Sequence, residues 1–456
     1  MPYTFMLWGA LKQQLAQRLS ITLTATSFWT DTELGLILAE ALRTYGSITQ
    51  FWKERGVFNT VAGTPFYDLT LQLPALLGQT LTDRDMILQL QYALMENKGI
   101  SSQSSWLGTE QFTLDDLTQA LQRRRNQLLV ETGIMLTNSQ PAVPPSPIGR
   151  VPLDQSVIDV RWASWVGLDD DGDPVYYRLQ RSDEFALNAF TRGWAQNASR
   201  PTEYSVAVTP PVSLQLAPPP NDVGSLDMLS VNAGANFDPA NSATLLGIPD
   251  DLAWVLKWGA LADLFARAGL SQDLLRARYC EMRWRQGVEI ARMQSPLMNA
   301  QIQGSEIQIS SLEDLERFDT TYWRNTSDQP TKVGVCGYNM IALSKVPDAV
   351  YSVTGDVARK APIPVNDGEY VQMSKEELDV ILDYAEHVAV SKQGGDTLTN
   401  SLPLMNNFYR MASIRNQRMR ANAAFFDALG DRAIRPKEQH PRRSPRETQD
   451  VQEVTQ

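Results

Sequence analysis

Side chains that catalyse or bind metals need partners of the right type at the right spacing, and this chain of 456 residues offers few. It has two histidines, His387 and His440, and two cysteines, Cys280 and Cys336. That count excludes a disulfide scaffold and zinc sites built from clusters of Cys and His. Histidine-dependent catalysis is left with two candidates, and His440 lies in a polar tail. Carboxylates are the remaining chemistry. The run Asp169-Asp170-Asp171-Gly172-Asp173-Pro174 places acids at alternate positions, which suits a hard cation. An EF-hand register starting at Asp169 fails, because Pro174 falls where glycine is required and Gln180 where a bidentate glutamate closes the loop. A solvated hairpin turn is expected instead, since Asp and Gly tolerate left-handed backbone. Asp115-Asp116 and Glu376-Glu377 could pair as general acid and base. Both pairs, however, open expected helices, where a carboxylate meets the positive end of the helix dipole for about 0.3–1 kcal/mol each. No P-loop, dinucleotide fingerprint, HExxH or GxSxG pattern occurs. No catalytic, cofactor-binding or metal-binding residue is therefore assigned, and the chain is expected not to be an enzyme.

Charge points to binding instead. The chain has 41 basic and 52 acidic residues, a net charge of −11, which excludes a surface that coats DNA throughout. From Arg410 to Arg446 ten basic residues meet three acidic ones, a local +7 that leaves −18 for the rest of the chain. This asymmetry reads as a basic arm for an acidic partner, a protein surface or nucleic acid, with a plain solvated tail as the alternative. Arg410, Arg415, Arg418, Arg420, Arg432 and Arg435 are the candidate partner-binding residues. The nearby aromatics Phe408, Tyr409, Phe425 and Phe426 follow helical spacing, so base stacking is not indicated. Arg123-Arg124-Arg125 spans about 200° of a helix and is expected on a solvated face with one or two ion pairs. Eleven tryptophans stand largely beside charged residues, as in Trp52-Lys53, Arg161-Trp162, Arg283-Trp284-Arg285 and Trp323-Arg324. Trp and Arg are enriched in buried interfaces, so this count leans toward an assembly subunit.

The elements that must position these residues are read from periodicity. Apolar stripes and cap signals predict helices over 5–19, 30–52, 82–96 and 113–132, with short β-like runs between 57 and 73. Residues 1–137 thus read as an N-terminal helical bundle. Four prolines in 138–150 mark a linker. Alternation then switches to period two, and 151–235 reads as an antiparallel β module with a helix from Glu184 that carries Phe185, Leu187, Phe190 and Trp194. Residues 249–296 form a helical hairpin in which Trp254, Trp258, Leu261, Leu264 and Phe265 face Leu275, Tyr279, Met282 and Trp284. Residues 297–372 are mixed strands and loop; 333–343 is the best strand and 345–370 an extended arm. C-terminal helices fill 373–430, and 431–456 is a basic flexible tail. The expected class is α+β: mainly an α-helical bundle with an inserted antiparallel β module and an extended C-terminal arm.

No basic region precedes the first apolar residues, so a secretory signal is not expected. Residues 252–268 come nearest to a membrane span, but Lys257, Asp263 and Arg267 interrupt them. The expectation is a soluble protein made in a cytoplasm, with both cysteines as small buried apolar groups.

Phe28-Trp29-Thr30-Asp31-Thr32-Glu33-Leu34, then Glu40-Ala41-Leu42-Arg43-Thr44-Tyr45 and Phe51-Trp52-Lys53, resembles the opening of head-to-tail connector (adaptor or neck) subunits of tailed bacteriophages. Tyr67-Asp68-Leu69 and the stretch Leu252-Ala253-Trp254-Val255-Leu256-Lys257-Trp258-Gly259-Ala260-Leu261-Ala262 are similar to the same group. The resemblance implies a structural virion protein at the head–tail junction, synthesised in the bacterial host cytoplasm and without catalytic residues. It implies a homo-oligomeric ring, with twelve copies as a working number, that bridges the portal protein and the tail or neck proteins. Double-stranded DNA would pass through without sequence-specific binding, and no membrane would be involved. A tail or baseplate component is the alternative. More distant is a virion-borne cell-wall hydrolase, which needs a carboxylate pair about 5–10 Å apart in a cleft.

Overall fold

The computed structural model describes residues 5–22, 28–96, 111–146, 148–169, 171–190, 193–207, 212–269, 271–318 and 322–434; for 418–434 it describes the helical backbone alone. Residues through Phe408 form one compact unit, and those from Tyr409 form a second.

The helices fall where the caps and stripes place them. Thr82 and Asp85 exchange a full capping box that starts Asp83–Leu94, and Thr113 and Asp116 do the same for Leu114–Thr132. Thr30 caps Asp31–Thr49 by accepting the Glu33 amide at 3.3 Å. The Glu33 carboxylate does not return the bond; it meets Lys392 at 3.0 Å instead. Ala253–Ala266 is buried at every position except Asp263 and Ala266, as befits a helix at the centre of a bundle. It pairs with Leu274–Met293 at a spacing only glycine permits. A Cβ on Gly259 would sit 2.5 Å from the Trp284 ring, and one on Gly287 2.5 Å from Val255. The buried face of Leu274–Met293 differs from expectation: Leu275 and Met282 face solvent, and Cys280, Arg283 and Val288 pack inward beside Tyr279 and Trp284.

The expected class, mainly a helical bundle with one β insert, is overturned. The described residues hold sixteen strands in three sheets, so the protein is α/β in substance. The largest sheet has seven strands curled into a half-barrel, in the order Lys53–Asn59, Ser352–Ala358, Leu297–Ile302, Ser305–Ser311, Lys332–Val335, Met340–Ser344, Phe66–Asp68. Its pairs are antiparallel except Ser305–Ser311 with Lys332–Val335. The β-like runs near 57–73 are thus the two edges of a sheet whose middle comes from residues nearly 300 positions later. The supposed arm at 345–370 contributes a central strand: Val353, Gly355 and Val357 point inward while Thr354 and Asp356 are half-buried.

The β module at 137–232 is a two-sheet sandwich. One sheet is built on Val157–Leu168 and Gly224–Asn232, the other on Glu203–Ala207 and Ser213–Ala217. Val160, Ala163, Trp165, Tyr204, Leu214 and Leu226 fill the space between them. One pair departs from the antiparallel expectation, since Gln180–Arg181 runs parallel to Glu203–Tyr204. The helix Glu184–Phe190 ends before Trp194, which lies in a turn.

The helices expected over 373–430 are Lys375–Ser391 and Gly395–Ile434. The second has 40 residues, roughly 60 Å at 1.5 Å per residue.

Candidate functional site

Five of the six candidate arginines lie along that helix, from Arg410 in its first half to Arg432 near its end. Arg410 is exposed and Arg415 half-buried. Arg418, Arg420 and Arg432 lie on described helical backbone, and Arg435 lies outside the described residues. No carboxylate occurs between Asp396 and Asp427. Arg410, Arg415, Arg418 and Arg420 are separated by five, three and two positions, a spacing that does not repeat on one helical face.

The start of the helix is fixed in the main unit. Leu398, Met405 and Phe408 are buried. Asn407 donates to Asp383 at 2.7 Å, and the Phe408 ring lies 4.6 Å from that of Tyr384. The Ser401 hydroxyl lies 2.9 Å from His387 Nδ1, and His387 Nε2 lies 2.5 Å from the Tyr279 hydroxyl. Burial, helped by the Arg283 charge, pushes the imidazole down to about 4, so His387 is neutral at physiological pH. It is fully enclosed and serves as a structural joint.

Beneath this joint is a charged cluster that sequence reasoning missed. The Glu40 carboxylate accepts Lys257 Nζ at 2.5 Å, Trp258 Nε1 at 2.9 Å and the Tyr384 hydroxyl at 3.2 Å. Arg283 hydrogen-bonds to the same Tyr384 hydroxyl and lies over the rings of Trp254, Trp258 and Tyr384. All of these side chains are buried. The signal was present: Glu40 interrupts a helix stripe of apolar residues, and Lys257 is the lone cation in a helix that is otherwise apolar nearly all round.

Of Arg123-Arg124-Arg125 only Arg123 is exposed as expected. It pairs with Asp263, while the buried Arg124 bridges Asp263 at 2.6 Å and Glu281 at 3.0 Å. Arg125 is fully buried, donates to the carbonyls of Ala235 and Gly234, and stacks over Phe237. Burial brings its guanidinium down to about 10.

No carboxylate pair in the described groove is arranged for acid–base work. Asp116 and Asp263 share an open surface groove, but each faces guanidinium groups. Burial alone would raise the Asp116 carboxyl; bonds from Thr113 and Arg267 outweigh it and hold the group below its ordinary value. A general acid needs the reverse. Asp169 spends its carboxylate on the amides of Asp171 and Asp173 at 3.0 and 2.8 Å, as a turn does. Among the described residues no cluster of His, Cys, Asp or Glu could hold a metal ion.

The tryptophans turn inward. All ten in the described residues are buried; Trp106 lies outside them. Trp162 and Trp323 donate to one oxygen of Glu316 at 3.0 Å each, and Tyr322 joins them at 3.1 Å. Arg324 pairs with Asp227 and stacks on Tyr176. These Trp–Arg pairs weld the sandwich to the half-barrel and do not form an external interface.

No protein-family model matches this chain, and no curated protein does. The residues that carry the likeness to connector subunits are mostly core residues: Trp29, Leu34, Glu40, Ala41, Leu42, Tyr45 and Trp52 are all buried. Among the described residues no helix is long and apolar enough to cross a membrane.

Proposed function

We propose that this protein is a structural virion subunit of a tailed bacteriophage, one of a ring of identical copies between portal and tail. The C-terminal helix carries the reading. A helix anchored by Phe408, Met405 and Asn407 continues into a segment with four arginines and no acid, which suits an acidic groove on a portal protein. Its Arg410, Arg415, Arg418 and Arg420, with Arg432 and Arg435 further on, make that contact. The body brings a net negative charge, and an acidic channel wall lets DNA slide where a basic one would hold it. The subunit acts by shape and charge, without a catalytic step.

The test is electron microscopy of the purified protein mixed with the portal protein of the same particle. A ring of density on the portal is expected. A monomer that stays unbound would overturn the proposal.

A second reading has its own observation. The sandwich exposes Ile148, Leu168, Phe185 and Val223, each more than two-thirds exposed, which suits a module that docks on a neighbouring tail protein. Position in a whole-particle map separates the two.

A further inference from the structure

The half-barrel leaves one long edge open. Lys53–Asn59 is its outermost strand, and among the described residues it pairs with Ser352–Ala358 alone. The Thr60 amide donates to the Tyr351 carbonyl and the Arg359 amide to the Trp52 carbonyl. Even-numbered residues of the strand therefore bond inward, and odd-numbered ones turn their amides and carbonyls outward. The outward groups of Arg55 and Val57 meet no partner among the described residues. Native sheets usually cover, shorten or bulge such an edge. Here the register runs from Lys53 to Asn59 without a shift, no proline interrupts it, and Glu54 and Arg55 spend their charges back on Arg359 and Asp356. Val57 is 56% exposed.

One segment of the same chain has the pattern of a strand to fill that edge. Ile21-Thr22-Leu23-Thr24-Ala25-Thr26-Ser27 alternates apolar residues with threonine and holds no charge, glycine or proline. It matches the seven residues of the open strand in length. It lies in the connection 19–30, longer than the roughly 2–8 residues that join helices in bundles, and 23–27 are outside the described residues. It cannot serve its own edge. Thr22 and Phe28 tether it near the start of Asp31–Thr49, where Glu33 meets Lys392. The open strand begins at the other end of that helix, where Gln50 donates to Ser295 and the Ala358 amide to Pro296. Nineteen helical residues hold the two ends about 28 Å apart. A loop of this length that leaves and returns extends only about 11 Å.

We propose that residues 21–27 of one copy add as a strand to the open edge Lys53–Asn59 of the next. Thr22, Thr24 and Thr26 lie beside Arg55 and Val57, and Ile21, Leu23 and Ala25 extend the buried face of Gly56 and Phe58. Donor and acceptor sit at opposite ends of one helix, so the contact runs head to tail and repeats from copy to copy until the ring closes. It supplies the contact between copies that the ring reading requires, and it needs neither portal nor particle.

Sedimentation velocity of the full chain, without portal protein, is the test. Association should rise with concentration. Thr24→Pro removes a donor from the added strand, and Val57→Pro removes only an outward amide, a change that an edge position tolerates. Each should weaken association by about tenfold or more at an unchanged melting temperature. Mixed together, the two variants should form a dimer and nothing larger, because one still offers the strand and the other the edge. Should Val57→Pro fail to fold, a Thr24→Cys chain mixed with a Val57→Cys chain should cross-link through a short bis-maleimide where the unmodified chain does not. Three results would overturn the proposal. One is an unmodified chain that stays monomeric at its highest soluble concentration. Another is association that Thr24→Pro leaves intact, as pairing of two open edges with each other would give. The third is a mixture of folded variants that neither associates nor cross-links.

Discussion

At the scale of single residues, the Glu40–Lys257 pair makes an asymmetric prediction. Both groups are buried, so removal of one leaves the other charge without a counter-ion, and removal of both need not. Lys257→Met should destabilise the main unit by about 3–5 kcal/mol in urea unfolding, and the double variant Glu40→Gln/Lys257→Met by clearly less. Equal losses would show that the pair is not coupled. Asp251 gives a second test. Burial pushes its carboxyl from 3.8 up to about 7, against the Ala361 amide and the Arg43 charge, with Asp250 adding to the rise and Lys360 opposing it. A folded-state value above the unfolded one means that the fold favours the protonated form. Its contribution is complete below pH 3.8 and is lost as pH rises toward 7, on the order of 4 kcal/mol in all. Asp251→Asn keeps an acceptor for the Ala361 amide and should flatten that part of the stability–pH curve. An unchanged slope between pH 4 and 7 would sink the assignment.

At the scale of elements, glycine spacing sets the helical hairpin. Gly287→Ala drives a methyl group into Val255 and should cost about 1–3 kcal/mol in thermal or urea unfolding. Gly63→Ala meets nothing within 4 Å but sits at a φ of +77°, so it should cost about 1 kcal/mol through backbone strain alone. Helices were the legible part of this sequence. Thr82, Thr113 and Thr30 announced them because a cap bond is local and its spacing is fixed. The half-barrel was not legible, for the opposite reason. Lys53–Asn59 pairs with Ser352–Ala358, and nothing in either segment names a partner so distant in sequence. The alternation of Val353, Gly355 and Val357 was there to be read, but a strand containing glycine and aspartate has the composition of a loop. Arg125 and Arg283 were misjudged because sequence shows a charge but not the carbonyls and rings that will enclose it. The basic character of the C-terminal helix could be read in full, since charge counts need no fold.

At the scale of the whole molecule, Trp–Arg clusters and buried ion pairs join sandwich, half-barrel and helices into one unit through Phe408. That unit keeps its own core, so truncation after Phe408 should leave its melting transition in place while portal binding disappears. Reversal of Arg410, Arg415, Arg418 and Arg420 to glutamate should do the same without shortening the chain. The binding that remains in the unmodified protein should weaken steeply between 50 and 300 mM salt, by roughly tenfold or more, as contacts between exposed charges do. The most direct test of the proposed role is a cryo-electron-microscopy map of the intact particle. The account predicts a closed ring of this chain at the head–tail junction, with the helix that begins at Gly395 directed onto the portal. Density for this chain elsewhere in the particle, or as isolated copies facing away from the portal, would contradict it.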